Sequence, residues 1–164
     1  MNAFQIAEKY IGQTEKPANA GFNDAEFEAK MKAVGFQPSY AWCALFTELV
    51  FKEAYPAKAK ELDKLFSASA VQTYKNFFNA GYLVGKVPRE GHLVIWQTQK
   101  GGVPQATGHA GIVGKVTDNW IFESIEGNTN DIGGREGYIV AKRTRKHIKD
   151  VKDGLKVLGF VQIG

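Results

Sequence analysis

The hydrophobic pattern of this chain changes period at Pro88, and that change restricts the fold more than any other feature. Before it, apolar residues recur at helical spacing. Phe4, Ile6, Ala7, Tyr10 and Ile11 form one such face, closed by Gly12. Residues 25–34 form a second, ended by Gly35. Over residues 42–54, Trp42, Leu45, Phe46, Leu49, Val50 and Ala54 keep the spacing, with Ser39 as the expected N-cap to within a residue or two. Residues 57–66 read as a more polar helix, and Ser69 caps another that runs to Ala80 and stops at Gly81. After Pro88, residues 92–97, 109–116, 120–125, 138–143 and 157–163 read as strands, with 101–108 as a polar, glycine-rich loop. Helices first and mostly antiparallel strands later predict an α+β domain, its N-terminal helices packed on a C-terminal antiparallel sheet.

A chain of 164 residues suits one domain spanning 1–164, long enough to bury a real core. Its 44% hydrophobic and 23% charged residues are ordinary for a soluble protein. There is no internal repeat, low-complexity tract or linker. No stretch approaches the roughly 18 apolar residues of a membrane helix, so no membrane insertion is expected. Met1 to Lys9 has neither the basic nor the apolar region of an export signal, so synthesis in the cytoplasm is expected. One cysteine excludes an internal disulfide. A net charge of +4 favours polyanionic surroundings only weakly.

The single cysteine lies in Tyr40-Ala41-Trp42-Cys43-Ala44-Leu45-Phe46, at the start of the third helix. A thiol attacks poorly until deprotonated, and a helix N-terminus favours the anion. A lone cysteine is more often a small buried hydrophobe, so Cys43 needs company to mean chemistry. His109 supplies it. His109 opens a strand joined by Thr117-Asp118-Asn119 to a second strand that ends at Glu126-Gly127-Asn128. A two-residue turn at Thr117-Asp118 sets His109 opposite Glu126. A turn at Asp118-Asn119 sets it opposite Asn128, with Glu126 on the diagonal. Opposed Cβ atoms lie roughly 5 Å apart and diagonal ones roughly 7–8 Å apart, so either register brings an acceptor near the imidazole. Glu126 and Asn128 share a face because strand side chains alternate. A histidine beside a glutamate at a sheet edge is the plainer reading. With Cys43 added, these residues are the parts of a thiolate nucleophile, its base and the base's orienting group, suited to attack on an amide carbonyl.

Other signals are weaker. His92 and His147 read as structural or solvated, and the histidines and cysteine lack zinc spacing. Asn23, Asp24 and Glu26 do not form a calcium loop. Residues 133–137 have no phosphate-loop Lys-Ser/Thr. Lys142, Arg143, Arg145, Lys146, Lys149 and Lys152 read as a solvated strand face, and Phe77, Phe78 and Tyr82 as core rather than a base-stacking platform. No nucleic-acid partner is expected.

These motifs together resemble the CHAP family, the cysteine- and histidine-dependent amidohydrolases and peptidases of bacterial cell walls. The resemblance covers most of the chain. Glu8 to Glu15 is similar to the family's N-terminal helix and turn, Tyr40 to Ala44 to its nucleophile segment, and Gly108 to Val113 to its histidine strand. Ile125-Glu126-Gly127-Asn128-Thr129-Asn130 resembles its Glu-Gly-Asn segment, and Arg135-Glu136-Gly137 before a basic strand resembles phage-type members. Two features depart from the family pattern. Gly91-His92 stands where Gly-Asp is usual, and the Asp-rich calcium loop of some members is missing. The resemblance implies a papain-like fold that cleaves an amide or peptide bond of peptidoglycan; no cofactor, no metal and a monomeric chain are expected. It acts on the wall after release or delivery from the cytoplasm. Cys43 is then the nucleophile, His109 the base, Glu126 its orienting partner, and Asn128 a residue that positions the ring or the substrate. Trp42, beside the nucleophile, is expected to bind substrate. The competing expectations are a non-catalytic wall-binding module and a cytoplasmic Cys–His amidase acting on a small molecule.

Overall fold

The computed structural model describes residues 1–118, 120–129 and 137–164. Local signals set the helices. Helix α1 (Ala3–Glu8) starts with a capping box: Asn2 accepts from the Gln5 N–H, and the Gln5 side chain takes the Asn2 N–H. Asp24 caps α2 (Ala25–Ala33) through the Phe27 N–H at 2.7 Å. Helices α3 (Cys43–Ala54) and α4 (Ala59–Leu65) follow, and Ser69 caps α5 (Ala70–Asn79) through the Gln72 N–H.

Three helical boundaries differ from the sequence reading. The first helix stops short of Gly12 because residues 12–15 pair with the sheet instead. The Gly12 N–H donates to Val140 O, and the Glu15 N–H to Tyr138 O, both at 2.9 Å. Ser39 does not cap α3; it lies outside the helix in a left-handed conformation, and Trp42 takes the N-cap position without a side-chain cap. Residues 56–58 are a separate 3₁₀ turn before α4, opened by Pro56.

The strands are β1 (Val84–Gly85), β2 (Leu93–Lys100), β3 (Val103–Asp118), β4 (Ile121–Thr129), β5 (Ile139–Lys146) and β6 (Gly154–Val161). They form one antiparallel sheet in the order β1-β6-β2-β3-β4-β5. The architecture is therefore α+β, as the change of period at Pro88 predicts. The expected loop over 101–108 is a correction. Only Gly101 and Gly102 turn, both with positive φ, and Lys100 already pairs with Val103. Two consecutive residues at positive φ make the tight hairpin that matches strand twist, so β3 begins at once. The two-residue strand β1 is too short to carry a periodic signal.

The helices cover one face of the sheet. Leu93, Ile95, Ala110, Ile112 and Ile125 point to that face and join Phe46, Val50 and Phe77 in the main core. Val94, Trp96, Val113, Phe122, Val157 and Phe160 form a second apolar cluster on the other. Gly127 in β4 allows α3 to come close: a Cβ there would lie 2.6 Å from the Trp42 ring and 2.8 Å from Phe46 Cβ.

Candidate active site

Cys43 is the first residue of α3, where backbone N–H groups have no partner within the helix. The residue before it fastens the helix start. Trp42 is fully buried, stands edge-on to Phe22 at 5.0 Å and donates from Nε1 to Glu15 Oε2 at 2.9 Å. The expected part of Trp42 in binding substrate finds no exposed ring surface in this structure. Cys43 itself borders a cleft of about 170 Å³, with Ala41, Ala68, Ala70, Ala106 and Gly108 among its walls. Larger clefts lie elsewhere, about 310 Å³ beside Tyr10, Lys30 and Glu53, and about 490 Å³ beside Lys86 and Arg89. Neither is lined by Cys43 or His109.

His109 pairs with Trp96 across β2 and is wholly buried. On the other side of β3, Ile112 pairs with Ile125 and Val113 with Ser124. Continued toward His109, this register sets it across from Asn128, with Glu126 on the diagonal. Nearer the turn, bulges shift the pairing so that Asp118 meets Ile121. Neither of the two simple turns describes the tip, and Asn119, part of both expected turns, lies outside the described residues. His109 Nε2 and Glu126 Oε2 are 2.7 Å apart. Gly111 gives that carboxylate its space, since a Cβ there would stand 2.9 Å from Glu126 Cγ. Asn128 makes no hydrogen bond to the pair among the described residues. Its φ is 54°, its Oδ1 accepts from the Gly137 N–H at 3.4 Å, and its buried Nδ2 has no partner among the described residues.

Glu126 is held from three sides. His109 takes one oxygen, the Ser124 hydroxyl donates to the other, and Arg145 reaches both. Arg145 Nε lies 2.7 Å from Oε1, and Nη2 bonds Oε2. Its guanidinium also sits 5.1 Å from the centre of the Trp96 ring.

Burial alone would push Glu126 up, but the His109 charge and the Arg145 bonds outweigh it and hold the carboxyl down at about 2. Burial likewise opposes a charge on His109, yet Glu126 and then Cys43 overcome it and raise the ring to about 9. Nε2 is committed to Glu126, which leaves Nδ1 as the ring nitrogen that Glu126 does not engage. Cys43 influences the ring both by charge and as a hydrogen-bond partner. Nδ1 itself makes no hydrogen bond of strict geometry at rest, which is common in a substrate-free site.

The sequence reading missed Arg145 and Ser124. Arg145 stood in a basic run taken for a solvated face. A strand-period reading of residues 139–146 separates Arg143 and Arg145 from Lys142, Thr144 and Lys146, and that alternation was the available signal. His147 is buried between Trp120 and Phe160, a structural position. The glycine-rich run 133–137 and the Arg135-Glu136-Gly137 resemblance fall outside the described residues except for Gly137, as does Asn130.

A family model described as the CHAP domain matches residues 35–128. That is more than half of the chain. The match includes Cys43, His109, Glu126 and Asn128, and ends before Arg145. No curated protein and no solved structure matches the chain.

Proposed function

The chain belongs to the CHAP domain family of amidohydrolases and peptidases, and from that premise we propose that it hydrolyses an amide or peptide bond of peptidoglycan with Cys43 as nucleophile. The observation that carries this reading is the buried His109–Glu126 pair, 2.7 Å apart, in a chain whose cysteine opens α3 and borders an open cleft.

The steps follow from the groups present. Nδ1 of His109 already holds the Cys43 proton, since the ring stays charged up to about pH 9, and Sγ bonds to the carbonyl carbon as the thiolate. The carbonyl electron pair moves to oxygen, and the Cys43 backbone N–H, first in its helix, is a donor for that oxyanion. The intermediate collapses, the C–N bond breaks, and the imidazolium returns its proton to the departing amine. Water, deprotonated by His109, then attacks the thioester carbonyl. The C–S bond breaks, an acid leaves and the thiol is restored. Glu126 keeps the ring oriented and offsets its charge in each half. Asn128, whose Nδ2 has no partner among the described residues, is the candidate to position the ring or the substrate.

The whole chain, in this reading, acts as one phage-type lytic domain that reaches the wall after release or delivery. Incubation with purified sacculi and mass spectrometry of the soluble products tests the reaction and identifies the bond. New amino termini or freed sugar–peptide junctions support it. Intact sacculi, with turnover of small soluble amides, would sink it in favour of a small-molecule amidase. Access to the wall is tested separately: the chain expressed in the cytoplasm should be tolerated, and the same chain with an export signal should lyse its host.

A further inference from the structure

We propose that Arg145 is a positioning residue of this reaction, a clamp on both oxygens of Glu126 that aims the carboxylate at His109 Nε2. The inference rests on the amide-hydrolysis reading and adds to it a residue beyond the span that the family model matches.

The argument begins with the burial of Glu126, which has no exposed surface. A buried carboxylate needs partners for both oxygens, or its charge is unstable there. His109 supplies one bond and Ser124 another, but each holds a single oxygen. Two single bonds leave the carboxylate free to pivot about its own side-chain torsions. A planar guanidinium with two parallel N–H groups removes that freedom, because both bonds must be satisfied together. Arg145 is placed to do this from a third strand. It springs from β5 opposite Phe122, four residues from Glu126 on the neighbouring strand β4, and meets Glu126 with Nε and Nη2.

Trp96 sets the height of the clamp. The Arg145 guanidinium lies 5.1 Å from its ring centre, and the same ring lies 5.6 Å from that of His109. One side chain therefore backs both the cation that holds Glu126 and the imidazole that Glu126 holds. The side chain of Arg145 is only 17% exposed, so the pair is shielded from the screening that makes surface ion pairs weak.

A merely structural ion pair and a positioning residue differ in what they do to the reaction. The test uses the full chain and its Arg145→Gln and Arg145→Lys variants. It reads kcat and KM on soluble peptidoglycan fragments, and the rate of Cys43 alkylation by iodoacetamide against pH. In Arg145→Gln, kcat should fall about tenfold to a hundredfold, by analogy with the loss of outer partners that orient metal-binding histidines, with KM unchanged. The acid limb of the alkylation profile should move to higher pH, because the Glu126 carboxyl loses the charge and bonds that keep it ionised. Arg145→Lys, which keeps the charge but offers a point rather than a fork, should recover part of both effects. If folded Arg145→Gln shows wild-type kcat and an unmoved acid limb, the proposal is overturned. Where Arg145→Gln does not fold, Arg145→Lys decides, and wild-type values in both readouts overturn the clamp. If the wild type releases nothing from peptidoglycan while the alkylation profile still shifts, the hydrolase reading fails and the clamp stands.

Discussion

The Glu126 carboxylate meets His109 Nε2 at 2.7 Å across a diagonal of the β3–β4 ladder, with both side chains wholly buried. A diagonal contact depends on register. A shift of one residue would move Glu126 to the opposite face, into the packing beneath α3. The pairing of Val113 with Ser124, two rungs from the site, therefore sets its geometry.

Replacing Cys43 by Ser should abolish hydrolysis and leave the fold intact. A hydroxyl is far less acidic than a thiol, and a site arranged for sulfur rarely activates it. Residual lysis at the wild-type rate would exclude the cysteine mechanism. Circular dichroism of the same sample checks that folding is not the cause.

His109→Ala should be as damaging as loss of Cys43, because the two groups act as one unit. Glu126→Gln should cost less in kcat, since an amide still orients the ring. The same change strands Arg145 beside an uncharged partner, so it should also lower stability, by about 1–3 kcal/mol. Urea midpoints and kcat measured together separate the two effects. A neutral Glu126→Gln beside a severe Asn128→Ala would transfer the orienting role to Asn128.

Stability should fall on both sides of a plateau in pH. His109 is raised from 6.5 to about 9, so its contribution is complete below pH 6.5 and is lost as pH rises through 9. Glu126 is lowered from 4.5 to about 2, so its contribution is complete above pH 4.5 and is lost as pH falls through 2. For this pair the plateau spans pH 4.5 to 6.5. Urea unfolding from pH 3 to pH 10 checks it. The double variant Glu126→Gln, His109→Ala should flatten both edges.

Gly111→Ala should impair activity more than its size suggests. The added Cβ would stand 2.9 Å from Glu126 Cγ and 3.3 Å from Ile125 O. The carboxylate has to move away from His109, or the strand has to give. Overpacking of this kind typically costs about 1–3 kcal/mol. The expected result is a folded, destabilised protein with reduced kcat; a variant of wild-type activity would show that Glu126 tolerates displacement.

Trp42→Phe should leave KM unchanged and lower stability by about 1 kcal/mol, through loss of the bond from Nε1 to Glu15. A rise in KM with no change in melting temperature would restore the idea that this ring meets substrate.

The sequence alone determined the order of helices and strands, because helical and strand periods are local properties of the chain. The cap at Ser69 and the change at Pro88 were legible for the same reason. It also marked Cys43 and His109, whose neighbours form compact local motifs. What it left open were relationships between distant segments. The bulges that select the β3–β4 register depend on packing across the whole hairpin. Residues 12–15 leave their helix only because β5 offers them an edge to pair with. Trp42 is adjacent to the nucleophile in sequence, yet the aromatic core of Phe22, Phe27 and Phe46 takes its ring. Arg145 looked like one charge among six. Only the folding of β5 against β4 brought its guanidinium to a buried carboxylate 19 residues away, and no local pattern encodes a contact made across a sheet.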